Sequence, residues 1–212
     1  TLIIYQKAYH FTHNDLHTNN IMYVETQEEF IYYFYKNKYY KVPTYGKIYK
    51  IIDFGRAIYK YEGHIFCSDS FAPSGDANSQ YNCEPYFVEN RPRIEPNYSF
   101  DLCRLGCSIY DFIMEIKDEH NKKFKPDALQ ETIIRWCRDD NGKNVLYMKN
   151  GDERYEEFKL YKMIARTVHN KTPDEQLNTQ VFKQYIIESG KIIPDDTCIN
   201  IDLLPEYYTK YM

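Results

Sequence analysis

The sequence predicts an α+β domain in which short strands come first and a helical region follows. Between residues 21 and 52, short runs of β-branched and aromatic residues alternate with turn residues, as strands and hairpins require. From Phe54 to Asn97 the chain is rich in Gly, Pro, Ser and Asn and has little periodicity. After Ser99 the pattern changes: Leu102, Leu105, Ile109, Phe112, Ile113 and Ile116 recur at the spacing of one helix face.

The elements follow in order. Leu2 to Tyr9 reads as the end of a helix, His10 to Asn20 as a polar irregular stretch, and Ile21 to Val24 as a strand. Phe30 to Tyr35 and Tyr39 to Val42 form a hairpin whose tip, Lys36-Asn37-Lys38, is solvated. Val42 to Gly46 is a turn, and Ile48 to Ile52 is a strand. The segment from Phe54 to Asn97 is a loop, and one that long in a compact domain is functional or mobile. Ser99 is available as N-cap to the helix after it, and Leu129 to Arg138 and Phe158 to Val168 give two more helices. Thr172-Pro173-Asp174-Glu175 is a capping box with proline at the first helical position, opening a helix that runs towards Ser189.

Composition sets the outer limits. A chain of 212 residues buries one sizeable core, and 43% apolar with 27% charged residues is ordinary for a soluble globular protein. Aromatics reach 17%, with 23 Tyr, so core and surface alike draw on amphipathic rings. A net charge of -4 gives no global reason to expect a nucleic-acid partner. No stretch approaches the length of a membrane span, and no secretory leader opens the chain, so a membrane partner is not expected. Thr1 stands first and is followed directly by apolar residues, which reads as a chain cut inside a domain. None of Cys67, Cys83, Cys103, Cys107, Cys137 and Cys198 forms a CxxC pair, so they are expected to be buried thiols in a reducing, cytoplasmic compartment.

The chemistry concentrates in His13-Asn14-Asp15-Leu16-His17-Thr18-Asn19-Asn20, and in Asp53-Phe54-Gly55 at the end of a later strand. Phosphoryl transfer needs a carboxylate beside the acceptor hydroxyl and oxygen ligands that hold magnesium against the phosphates. Asp15 can supply the first, and Asn20 with Asp53 the second. A loop-strand-turn-strand path would bring Asp15 and Asp53 together although 38 positions separate them. Gly55 would let the chain turn sharply after the metal ligand.

These motifs resemble the protein kinase superfamily. Residues 13–20 are similar to the catalytic loop H-R-D-L-x-x-x-N, and Asp53-Phe54-Gly55 to D-F-G. Ser99 to Gly106 resembles the helix that anchors that loop, S-x-D-x-x-x-L-G. The resemblance implies Asp15 as catalytic base with His17 near the transferring phosphate, and Asn20 and Asp53 as ligands of magnesium and its bound ATP. It makes His13 and Phe54 packing residues that align the two motifs, and Asp101 the group that holds the loop backbone. It also implies the mainly α-helical C-terminal lobe of a kinase over 1–212: catalytic loop 13–20, enlarged hairpin 21–52, activation segment 53–98 and helical subdomain 99–212. A Gly-rich loop and a strand lysine should precede the catalytic loop. Only Thr1 to Phe11 stands before it, so the chain alone is expected to bind ATP poorly.

The departures from the family pattern bear on the acceptor. Asn14 replaces the loop arginine, and His17 replaces the lysine, as in small-molecule kinases resembling aminoglycoside and choline phosphotransferases. Typical protein kinases separate the two aspartates by roughly 20 positions rather than the number found here. Glu89 lies about where the family places the glutamate of A-P-E, in unmatched surroundings. The composition is similar to divergent kinase-like proteins of large DNA viruses, which would place the protein in host cytoplasm. The expected reaction is transfer of the γ-phosphate of ATP to serine or threonine of a protein partner, with a small-molecule acceptor as the alternative. A pseudokinase or scaffold is a further alternative, opposed by the retention of Asp15, Asn20 and Asp53.

Residue by residue, simpler readings stand beside these. Asp15 taken alone is a turn-forming aspartate, and Asn20 a strand-entry asparagine. His10, His64, His120 and His169 read as surface residues. A metal hydrolase built on His10, His13, Asp15 and His17 lacks both the H-E-x-x-H spacing and the helical pattern that motif needs.

Overall fold

The computed structural model describes residues 1–114, 125–188 and 197–210, and its architecture is mixed α+β. Four strands follow the polar segment: β1 (Ile21–Glu25), β2 (Phe30–Tyr35), β3 (Lys38–Pro43) and β4 (Lys47–Ile51). β1 pairs antiparallel with β4, Ile21 opposite Ile51 and Glu25 opposite Lys47, so the chain returns to where it left. The β2–β3 hairpin lies between them in sequence. Its tip has Lys36 and Asn37 at φ 48° and 59°, the left-handed pair that matches the twist of a two-residue hairpin. On its other edge β2 takes β7 (Cys198–Asn200) in parallel, giving the order β3-β2-β7.

The expectation of an unstructured loop from Phe54 onward needs correction. β5 (Ile58–Tyr61) and β6 (His64–Cys67) form a hairpin there. Its turn is Glu62-Gly63, both left-handed, and the two N–H groups donate to the carbonyls of Tyr207 and Tyr208 at 2.8 and 3.0 Å. The Glu-Gly pair between two aromatic runs is the signal that composition over the whole segment dilutes. β5 also reaches back to the polar segment, where Thr12 and Ile58 exchange N–H···O bonds of 2.9 and 3.0 Å.

The helices are α1 (Leu2–Tyr9), α2 (Phe100–Ile113), α3 (Ala128–Trp136), α4 (Phe158–Thr167), α5 (Pro173–Gln176) and α6 (Gln180–Lys183). Among the described residues after Ser99, α2, α3 and α4 lie where helices are expected, whereas α5 and α6 are four residues each. α2 buries Phe100, Leu102, Cys103, Gly106, Cys107 and Tyr110 against α3 and α4. A Cβ on Gly106 would stand 3.0 Å from the Trp136 Cβ, so the glycine sets how closely α2 and α3 approach. Ile116 and His120 fall outside the described residues.

Two end signals behave differently from expectation. Ser99 takes the N-cap position of α2 without capping it, because its hydroxyl accepts the Lys171 N–H at 2.9 Å. The Thr172–Glu175 capping box forms as read, yet the helix stops at Gln176 rather than running towards Ser189, which itself lies outside the described residues. Asn178 and Thr179 favour turns over helix interiors, and the Thr179 hydroxyl bonds the Gln176 carbonyl at 2.8 Å. The Gln176 side chain is meanwhile pinned by the Trp136 indole N–H at 2.9 Å and Arg135 at 2.8 Å.

One large core joins Leu16, Phe100, Tyr110, Ile133, Cys137, Val145, Ile164 and Val168. A second, smaller one joins Tyr35, Tyr40 and Ile201, with Ile3, Ile4, Leu177 and Tyr185 packed on it. The β2–β3 hairpin is thus part of the interior, fastened to α1 and to the chain beyond β7. Cys83, Cys103, Cys107 and Cys137 are buried, Cys67 and Cys198 half-buried, and no disulfide forms among the described residues. No helix among the described residues is long and apolar enough to cross a membrane.

Candidate functional site

The loop after Thr12 is held from below by one buried carboxylate. Asp101, in the first turn of α2, has no solvent exposure. Its Oδ2 accepts the His13 N–H and its Oδ1 the Asn14 N–H, both at 2.8 Å. Burial pushes the Asp101 carboxyl up from its ordinary value, and these two donors pull against that by favouring the charged form.

Asn14 is fully buried and left-handed, at φ 65°, a conformation that asparagine tolerates better than most residues. Its side-chain amide donates to the Arg56 carbonyl at 2.9 Å and the Thr12 carbonyl at 3.3 Å. Its Oδ1 accepts from the Tyr81 hydroxyl at 2.7 Å. Asn14 is thus an internal stitch between the loop, the turn before β5 and the segment around Tyr81.

His13, also fully buried, joins the two halves of the site. Its Nε2 lies 2.9 Å from the Ile52 carbonyl oxygen, and its Nδ1 accepts the Asp15 N–H at 3.3 Å. A carbonyl only accepts, so these partners assign the ring proton to Nε2. The ring also packs on Phe54 and Phe11, with centroids 5.6 and 6.3 Å away. Phe54 touches Phe11 and Tyr5 as well, yet remains 45% exposed. The Ile52 N–H donates to the Asn20 carbonyl at 3.0 Å, continuing the β1–β4 ladder, so Asp53 emerges beside Asn20.

The sharp turn after the ladder is made by Asp53, not Gly55. Asp53 has φ 60°, whereas Gly55 is not left-handed and donates its N–H to Asp53 Oδ1 at 3.2 Å. Gly55 matters instead for space: a Cβ there would come 3.1 Å from that same oxygen.

Above this base, Asp15, His17 and Asn20 face one another. The Asn20 amide donates to the Asp15 carbonyl at 3.0 Å and lies 3.2 Å from His17 Nε2. His17 Nε2 is 3.8 Å from Asp15 Oδ1. Burial lowers the basicity of His17 first. The Asp15 carboxylate works against that, Arg104 and His13 reinforce it, and Asp53 opposes it, leaving the ring below ordinary histidine.

Several participants carried no sequence signal. The Tyr161 hydroxyl, from α4, donates to Asp15 Oδ1 at 2.7 Å. Arg56 and Arg104 flank the Tyr161 ring, their guanidinium carbons 5.5 and 5.0 Å from its centroid. Arg56 is itself bound to Asp76 at 2.7 Å. The segment beyond β6 is organised around Asn82, whose side chain bonds Val88, Arg91 and Pro92. Arg166 holds the same segment by the Ser79 carbonyl at 2.7 Å, while Glu89 stands exposed. Neither the tyrosine nor the arginines recur in a pattern that single-sequence reading detects.

The donor set suits a hard divalent cation. Asn20 Nδ2 is occupied by Asp15 and His17, leaving the amide oxygen to a metal, and Asp53 keeps its Oδ2 after Gly55 takes Oδ1. No group of three or more His, Cys, Asp or Glu side chains among the described residues is arranged to hold a metal, which removes support from the hydrolase reading of His10, His13, Asp15 and His17. His10 turns away from the site and stacks on Tyr208 at 3.7 Å, His64 is exposed, and exposed His169 pairs with Asp140 at 2.6 Å. A cleft of about 620 Å³ is lined by His10, Thr12, Ile58 and Cys83 but by none of Asp15, His17, Asn20 and Asp53. Met22, Tyr23 and Val24 of β1, which follow Asn20 in the chain, are exposed.

No protein-family model matches the chain, and no curated protein matches it.

Proposed function

We propose that this chain is the C-terminal lobe of a protein-kinase-like phosphotransferase, with Asp15 as general base and Asn20 and Asp53 as magnesium ligands. The observation that carries this reading is the double hydrogen bond from the His13 and Asn14 N–H groups to buried Asp101. A carboxylate without solvent access, spent on two loop amides, makes sense where the loop must hold one shape. The bond from the Ile52 N–H to the Asn20 carbonyl supports the reading further, since it brings the residue before Asp53 against Asn20. Bound magnesium would neutralise charge on the phosphates of ATP. This chain would orient the acceptor hydroxyl against Asp15 and receive its proton there, with His17 beside the transferring group. Exposed Met22 and Val24 offer an apolar surface next to Asn20 for the nucleotide base.

The acceptor is read as a protein hydroxyl on serine or threonine. A small-molecule acceptor is the second reading, favoured by Asn14: buried and fully engaged, it is not positioned to read an activating phosphate. The test is transfer of labelled γ-phosphate from Mg-ATP by the intact natural chain to casein, and separately to choline and an aminoglycoside. Asp15→Asn should lower turnover about a hundredfold or more while leaving thermal unfolding unchanged. Unaltered turnover in that variant would remove Asp15 as the base.

A further inference from the structure

The place where an acceptor hydroxyl must stand is filled by the chain itself. A general base has to lie within about 2.6–3.2 Å of the oxygen whose proton it takes. Tyr161 meets that condition, its hydroxyl donating to Asp15 Oδ1 at 2.7 Å. The tyrosine is held there by packing on Phe100 and Phe158, with ring centroids at 6.2 and 5.4 Å.

The surroundings of the ring are prepared for negative charge. Arg104 and Arg56 lie on its flanks. The Nε of Arg104 is buried and has no hydrogen-bond partner among the described residues. A buried guanidinium N–H without an acceptor is costly, and a phosphate oxygen is the partner a guanidinium accommodates best. Arg56, by contrast, is already committed to Asp76.

From this we propose that Tyr161 is a modification site, phosphorylated in cis at this same centre, with Arg104 receiving the new phosphate. The inference rests on the phosphotransferase reading above. In the step, the Asp15 carboxylate takes the Tyr161 phenolic proton as the phenolic oxygen bonds to the γ-phosphorus of ATP. The bond from that phosphorus to the β,γ-bridging oxygen breaks, and ADP leaves with the electron pair. Burial, foremost, holds the Tyr161 phenol above its ordinary range; Arg104 opposes and the bond to Asp15 adds to it, so the proton is present until the base removes it. Phosphotyrosine would carry a charge of about −1.5 to −2 at neutral pH. Asp15 would repel it and Arg104 attract it, moving the ring off the base and opening the acceptor position to another hydroxyl.

The experiment incubates the intact natural chain with Mg-ATP and casein, maps phosphate by tandem mass spectrometry, and repeats the rate at several protein concentrations. Phosphate on Tyr161, appearing at a rate independent of protein concentration and absent in Asp15→Asn, is the expected result. Phosphate on casein with Tyr161 unmodified overturns the inference and leaves the phosphotransferase reading standing. Modification of Tyr161 at a rate that rises with protein concentration overturns the cis step. Transfer to neither acceptor overturns the inference together with the protein-acceptor reading, and leaves the small-molecule reading to the choline and aminoglycoside assay.

Discussion

The Tyr81 hydroxyl donates to the Asn14 side-chain oxygen at 2.7 Å, inside the protein and across a long stretch of chain. Both groups are buried, and the remaining amide hydrogens of Asn14 serve the Arg56 and Thr12 carbonyls. A single side chain therefore fastens the loop bearing Asp15 to two later segments. Tyr81→Phe keeps the ring and strands a buried oxygen. The expected cost is about 1–3 kcal/mol, measured by urea unfolding. A loss within experimental error would mean that another donor reaches Asn14.

Asp101 carries the heavier duty. Asp101→Ala would orphan the His13 and Asn14 N–H groups and leave a cavity at the base of the loop. Hydrogen bonds to a charged acceptor contribute about 1.5–3 kcal/mol each, so the variant should lose about 3 kcal/mol or more, or fail to fold. Asp101→Asn keeps one acceptor oxygen and turns the amide NH₂ towards a backbone N–H. It should fall between wild type and alanine in the same measurement, and equal stabilities for all three would show that the two bonds do not support the fold.

His17 offers a readout at a single ring. Its basicity lies below that of ordinary histidine, burial being the first cause. The unfolded chain then binds the proton more readily than the folded one. His17 therefore contributes stability that is full above the unfolded value and lost as pH falls through the lower folded value. Asp15 is the largest influence raising it, so Asp15→Asn should lower the midpoint further. Imidazole carbon-bound proton shifts followed by NMR give both midpoints. A rise in the variant would show that the two side chains do not face each other in solution.

Much of this architecture was legible in the residues. The β2–β3 hairpin announced itself through aromatic runs around Lys36-Asn37-Lys38, and α2 through its apolar spacing, because both signals are local and periodic. The Thr172 capping box was legible for the same reason. The β5–β6 hairpin was not, because its two short strands sit in a segment whose average composition is that of a loop. The turn at Asp53 was assigned to its glycine neighbour, since glycine is the usual left-handed residue and the actual conformation of an aspartate leaves no mark in sequence. Tyr161 is the sharpest omission. Its role exists only because α4 folds back across the loop, and with 23 tyrosines in the chain nothing singles it out beforehand.

The β1–β4 ladder closes beneath the β2–β3 hairpin as a zip closes beneath a fold of cloth. Ile21 meets Ile51 whatever length of polypeptide is looped out beyond Glu25 and Lys47. The number of residues between β1 and β4 is thereby uncoupled from the meeting of Asn20 with Ile52. Removing the arm would uncover Ile201, since Tyr35 and Tyr40 are buried with it and Ile3 and Ile4 pack on the same cluster. The hairpin is a rivet joining α1 to the segment after β7.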